Sequence, residues 1–117
     1  MLVTDDDPKI REIVIQRLRL REYDAEGAAD GHEAIAKLAN GKFDVVVIDL
    51  LMPHSSGVDV LDALEKLPSA PPYIVLSGVA KIWRRAHPEK RPAAVLEKPV
   101  DFEKLVDAVK RSIRGRE

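Results

Sequence analysis

The sequence predicts an α/β domain in which a five-stranded parallel sheet carries helices on both faces. Three observations lead there. Val45-Val46-Val47-Ile48 is an unbroken β-branched run, the composition of a strand covered on both faces at the centre of a parallel sheet. Short apolar runs of this kind alternate with segments whose apolar residues recur at helical spacing, the rhythm of right-handed βαβ units. The central run then ends on an acid, Asp49, with Pro53 just beyond. That places a carboxylate at the carboxyl end of a buried strand, where open α/β sheets hold their ligands.

Leu2-Val3-Thr4 forms the first short strand and leads into Asp5-Asp6-Asp7-Pro8. Asp7 suits a helix N-cap and Pro8 the first helical position, where the N–H that proline lacks would be unpaired anyway. Ile10, Ile13, Val14 and Leu18 predict a helix from about Pro8 to Arg21 with those side chains inward. Tyr23 to Ala28 is a weaker strand candidate. Asp30 and Glu33 have the spacing of a capping box ahead of Ala34, Ile35 and Leu38. Asn40-Gly41 ends that second helix, since both residues tolerate a left-handed C-cap.

After the central strand, a loop is expected from Leu50 to Ser56, and Gly57 opens a third helix with Val58, Leu61 and Leu64 inward. Pro68 to Pro72 breaks the chain before a fourth buried strand, Tyr73-Ile74-Val75-Leu76, which ends at Ser77-Gly78. Ala80 to Ala86 has room for about two helical turns, and Pro88 and Pro92 prevent more, so the fourth helix is expected to be short or irregular. Ala94-Val95-Leu96 is the fifth strand, followed by Glu97-Lys98-Pro99. Asp101 caps a last helix with Phe102, Leu105, Val106, Val109 and Ile113 inward and basic residues in its final turn.

The length of 117 residues fits one domain, expected to span 1–117, and is short for two. Twenty acidic and 19 basic residues leave a formal charge of −1, so no bulk attraction to nucleic acid is implied. The absence of cysteine excludes disulfides and thiolate chemistry and fits a reducing compartment. No apolar run approaches the roughly 18 residues of a membrane span. The amino-terminal residues turn acidic too soon for a secretory signal. A cytoplasmic domain is therefore expected.

One doubly wound order available to five strands is 2-1-3-4-5, with its switch point between the first and third. That order gathers Asp5, Asp6 and Asp49 into one crevice, with Ser77 and Lys98 nearby at the ends of the fourth and fifth strands. Carboxylates so close repel one another unless a cation joins them. A hard divalent ion such as Mg²⁺ needs only one or two of them and completes its shell with water or phosphate oxygens. An acid not fully committed to the metal can attack phosphorus. Lys98 can then neutralise charge on the transferred group, and Ser77 can donate a hydrogen bond.

These residues resemble the receiver domain of two-component response regulators. The resemblance rests on Asp5-Asp6, Asp49 after an apolar strand, Met52-Pro53, Gly57, Ser77 and Lys98-Pro99, and it spans essentially the whole chain. It implies a flavodoxin-like fold in which Asp49 takes a phosphoryl group from a sensor histidine kinase or phosphotransfer protein. It also implies Mg²⁺ or Mn²⁺ held by Asp6, Asp49 and the backbone carbonyl of Leu51, with Asp5 acting through water and Ser77 and Lys98 contacting the phosphoryl oxygens. Such a domain is a signalling module rather than a turnover enzyme. Its partners would be a downstream effector and, by the same analogy, a second copy. The pairing or docking face would lie around the fourth strand, the basic Trp83 segment and the last helix.

The sequence departs from the family in places. The family often has an aromatic residue where Val95 stands, and its fourth helix is normally well formed. In the family, the residues two past the acceptor Asp and two past the Ser/Thr border the hydrolytic water; here they are Leu51 and Val79, both unable to orient it, so the resemblance implies slow self-dephosphorylation. His32 and His54 are read as surface residues. Two other readings compete. A pseudo-receiver would keep the fold and act by binding alone. An aspartate-nucleophile phosphatase would use the Asp-x-Asp of Asp5-Asp6-Asp7, but Lys9 stands where that family expects Thr or Val.

Overall fold

The computed structural model describes residues 1–49 and 57–114, excluding the side chains of Gly57 and Val58. Ten elements alternate in chain order: β1 (Leu2–Thr4), α1 (Pro8–Leu20), β2 (Glu26–Ala28), α2 (Gly31–Asn40), β3 (Val46–Asp49), α3 (Gly57–Glu65), β4 (Tyr73–Ser77), α4 (Ala80–Ala86), β5 (Ala94–Glu97) and α5 (Phe102–Arg114). The strands form one parallel sheet in the order β2-β1-β3-β4-β5. Both the order and the short fourth helix match the expectation.

Every residue from Val45 to Asp49 is buried, because neighbouring side chains of β3 enter opposite cores. Val46 and Ile48 join Ala34, Leu61 and Val75 on the face covered by α2 and α3. Val45 and Val47 join Leu18, Ile74 and Leu105 on the face covered by α1 and α5. On α1 the buried set is Val14, Ile15 and Leu18. The helix is rotated from the expected inward face, leaving Ile10 and Ile13 40% and 50% exposed. Those two side chains line an apolar cleft of about 500 Å³ against Pro99, Val100 and Phe102.

The caps show how the chain turns. Asp7 accepts from the Lys9 and Ile10 N–H groups, and Asp30 accepts from Glu33 N–H while Glu33 reaches back to Ala29 N–H. Gly41 does not take the expected left-handed cap; its φ is −125°, ordinary extended backbone. The left-handed residue is instead Glu22, φ 68°, just after α1. There Glu22 N–H donates to Arg19 O and Tyr23 N–H to Leu18 O, the bond pair of a Schellman motif without its usual glycine. The strand that follows is shorter than Tyr23 to Ala28. At this sheet edge Arg19 donates to Ala25 O and Lys37 to Gly27 O, covering backbone that would otherwise invite another strand.

Candidate functional site

Register explains why distant residues meet. Thr4 lies opposite Ile48, so Asp5 leaves β1 at the level where β3 reaches Asp49. Asp49 lies opposite Leu76 and Ser77 opposite Glu97, which places Ser77 and Lys98 one step beyond on the adjacent strands. The Lys98–Pro99 peptide bond is cis, and Lys98 N–H donates to Ser77 O.

Asp5, Asp6 and Asp49 each offer a carboxylate oxygen to a group whose members lie within 4.8 Å of one another. Asp5 and Asp49 are buried, at 2% and 3% exposure, whereas Asp6 faces solvent. Lys98 Nζ lies 2.7 Å from Asp49 Oδ2 and 3.8 Å from Asp5 Oδ2. Burial pushes the Asp5 carboxyl up from 3.8 to about 6. The Asp7 N–H bond to Asp5 Oδ1 and the Lys98 charge oppose that rise, while the charges of Asp49 and Asp6 add to it. At Lys98 burial works to lower the pKa, but the Asp49 hydrogen bond and the surrounding carboxylates outweigh it and leave the ammonium raised. Among the described residues, one ammonium thus faces three acids. Such a set of hard oxygen donors fits a hard divalent cation.

Ser77 is buried at the end of β4, and its Oγ accepts from Val79 N–H at 3.0 Å. Val79 is 44% exposed. A Cβ added at Gly78 would meet nothing within 4 Å, so the backbone beside Ser77 is open to an approaching group. Leu51, expected to supply a carbonyl, and Met52, Pro53 and His54 lie outside the described residues.

Comparison with known proteins identifies the family. The sequence profile of the response regulator receiver domain matches residues 1–110. The chain belongs to the response-regulator receiver family. It is 32% identical to the response regulator MprA of Mycobacterium sp. (strain KMS), with 97% of this chain and 50% of that protein covered. It is 33% identical to the transcriptional regulatory protein PrrA of Mycobacterium tuberculosis, with 99% of this chain and 50% of that one covered. The chain therefore spans about half the length of the curated relatives it matches. The receiver domain of the Francisella response regulator 1452 superposes with a TM-score of 0.91 at 28% identity, covering 99% of this chain and 97% of that one. TrrA of Thermotoga maritima, solved with Mg²⁺ and BeF, gives 0.85 at 30% identity, covering 95% and 96%.

Two features of this receiver domain escape the sequence pattern. Trp83, in the basic segment Lys81 to Arg91, is 7% exposed and packs into the core on the α2–α3 face. Lys90 of that segment pairs with Asp62 and Glu65 of α3. Lys81, Arg84 and Arg85 remain exposed on α4. The second feature is Arg11, whose Nη1 donates to the Asp5 carbonyl at 2.8 Å. Its separation from the acidic pair, little more than one helical turn past the cap, was the only available signal. Among the described residues no helix is long and apolar enough to cross a membrane.

Proposed function

We propose that this receiver domain, residues 1–117, is the phosphoacceptor module of a two-component relay and that Asp49 accepts the phosphoryl group. The observation that carries the reading is the contact of buried Asp49 with Lys98 beside Asp5 and Asp6. An Asp49 oxygen attacks phosphorus as the donor's imidazole leaves with its bonding pair, forming an acyl phosphate. Lys98 follows the charge as it moves from the carboxylate onto the phosphoryl oxygens. Ser77 rotates its hydroxyl from Val79 N–H to donate to one of them. Mg²⁺ or Mn²⁺ bound by Asp6 and Asp49, with Asp5 through water and Leu51 through its carbonyl, would neutralise phosphate charge in the transition state.

The donor is a sensor histidine kinase or phosphotransfer protein. The cleft of Ile10, Ile13 and Phe102 opens beside Lys98 and gives such a protein a carbon surface at the mouth of the site. The recipient of the signal is an effector protein or domain. The face around β4, α4 and α5, with Lys81, Arg84 and Arg85 exposed on α4, is the one proposed to dock an effector or a second copy. Val79 presents no hydrogen-bonding side chain to orient a hydrolytic water, so the phosphorylated state is expected to persist for minutes or longer without a phosphatase.

Intact-mass spectrometry after incubation with Mg²⁺ and acetyl phosphate tests the reading. One phosphoryl adduct on the parent and none on Asp49→Asn is the expected result. No adduct on the parent, with Mg²⁺ still bound, would overturn small-donor acceptance and favour a module that acts by binding alone.

A further inference from the structure

The peptide between Asp5 and Asp6 decides where both carboxylates point, because it joins their two Cα atoms. Its amino-terminal side is anchored to the sheet by Asp5 N–H, which donates to Ala28 O. The Asp5 side chain is held by Asp7 N–H at 2.9 Å. The carbonyl of the peptide itself accepts from Arg11 Nη1 at 2.8 Å. Arg11 therefore holds the peptide plane whose reorientation, about Asp5 ψ and Asp6 φ, would swing Asp6 relative to Asp49.

The arm reaches that carbonyl across β2. A β-carbon at residue 27 would stand 3.0 Å from Arg11 Cδ, tighter than most real contacts, and 2.9 Å from Ile15 Cδ1, closer than a real Cβ approaches. Glycine at that position leaves room for the Arg11 stem to lie against the strand. We propose that Arg11, with its path opened by Gly27, is a positioning residue that orients the Asp5–Asp6 pair for divalent-cation binding. The inference rests on the reading of the acidic crevice as a Mg²⁺ site.

The charge and the geometry of Arg11 act in opposite directions, which makes the sign of the effect decisive. A guanidinium near the site repels a divalent cation, so its removal by charge alone would tighten binding. Water screens that repulsion because Arg11 is only half-buried. Loss of orientation by a residue that supports metal ligands typically weakens affinity about 10- to 100-fold. Positioning therefore predicts weaker binding, and electrostatics alone predicts the reverse.

The test is calorimetric titration of the full chain with MgCl₂, beside thermal melts of each variant without metal. Arg11→Met, which keeps an apolar stem and removes the donor, is expected to weaken Mg²⁺ binding about tenfold. Arg11→Lys should recover part of that loss through a single donor. Gly27→Ala keeps the charge but displaces the arm and should also weaken binding; its Cβ crowds buried Ile15 as well, so a lower melting temperature is expected and binding is compared where both proteins are folded. Arg11→Met binding Mg²⁺ as tightly as the parent, or more tightly, would overturn the proposal. Unchanged affinity in Gly27→Ala would remove Gly27 from it. No Mg²⁺ binding by the parent would overturn the metal site itself, a result distinct from either.

Discussion

Lys98 reaches Asp49 at 2.7 Å and Asp5 at 3.8 Å, while Lys90 reaches Asp62 at 2.8 Å and Glu65 at 3.1 Å. The two clusters use the same residue types at similar distances. At Lys90 the acids are the open partners, 51% and 43% exposed, over a lysine side chain that is 9% exposed. At Lys98 the acids are buried to 3–4% and the lysine is 29% exposed. The titration directions follow. The Asp62 carboxyl is held below its usual range by its Lys90 hydrogen bond, whereas burial raises that of Asp5. One cluster ties the segment after α4 to α3, assisted by Arg91 N–H donating to Tyr73 Oη. The other gathers three acids around one ammonium among the described residues, and the proposed cation and phosphoryl group would draw on that excess.

The largest expected effect is at Lys98. Lys98→Met leaves Asp49 and Asp5 buried without their ammonium and should destabilise the metal-free protein by about 3 kcal/mol in urea unfolding at neutral pH. A loss no larger than that of a surface pair would break the contrast.

The pH dependence comes next. Asp5 titrates at 3.8 unfolded and near 6 folded, so the folded state holds the proton more tightly. Its contribution to stability is present at pH values below 3.8 and is lost as pH rises through about 6. Each pKa unit is worth about 1.4 kcal/mol, so the loss is on the order of 2–3 kcal/mol. Asp62 runs the other way: its depressed pKa adds stability at neutral pH that disappears on acidification. Unfolding free energies of Asp5→Asn and Asp62→Asn, each taken against the parent across this range, should therefore diverge in opposite directions.

The smallest effect is at Lys90. Its partners are solvated, so Lys90→Met should cost under about 1 kcal/mol, and the cost should shrink as salt is added. A salt-insensitive loss of several kcal/mol would show that this cluster also works as a buried pair.

The parts of this molecule written in its sequence are those set by local chemistry. The β-branched run of β3, the Asp7-Pro8 cap and the prolines flanking α4 each determine their own segment. The meeting of Asp5, Asp6, Asp49 and Lys98 was also legible, because strand order and register bring strand ends together once the order is known. What depends on rotation or packing was not. Ile10, Ile13, Val14 and Ile15 offer two faces for α1, and only contact with the sheet selects the one containing Ile15. Glu22 takes a left-handed turn that sequence preference assigns to glycine, while Gly41, which could, does not. Trp83 lies among arginines in sequence but packs inward, because consecutive helical residues face different directions. Arg11 escaped notice because its partner is a backbone carbonyl, which leaves no mark on composition.

The most direct test of the three-acid site is the unfolding free energy of Asp5→Asn against the parent at neutral pH, with and without Mg²⁺. Asn keeps an oxygen for Asp7 N–H and removes one buried charge. Metal-free Asp5→Asn is expected to be more stable than the parent by about 2 kcal/mol, and Mg²⁺ to stabilise the parent far more than the variant. A variant less stable than the parent without metal would contradict it, for Asp5 would then be an ordinary structural acid satisfied by Lys98.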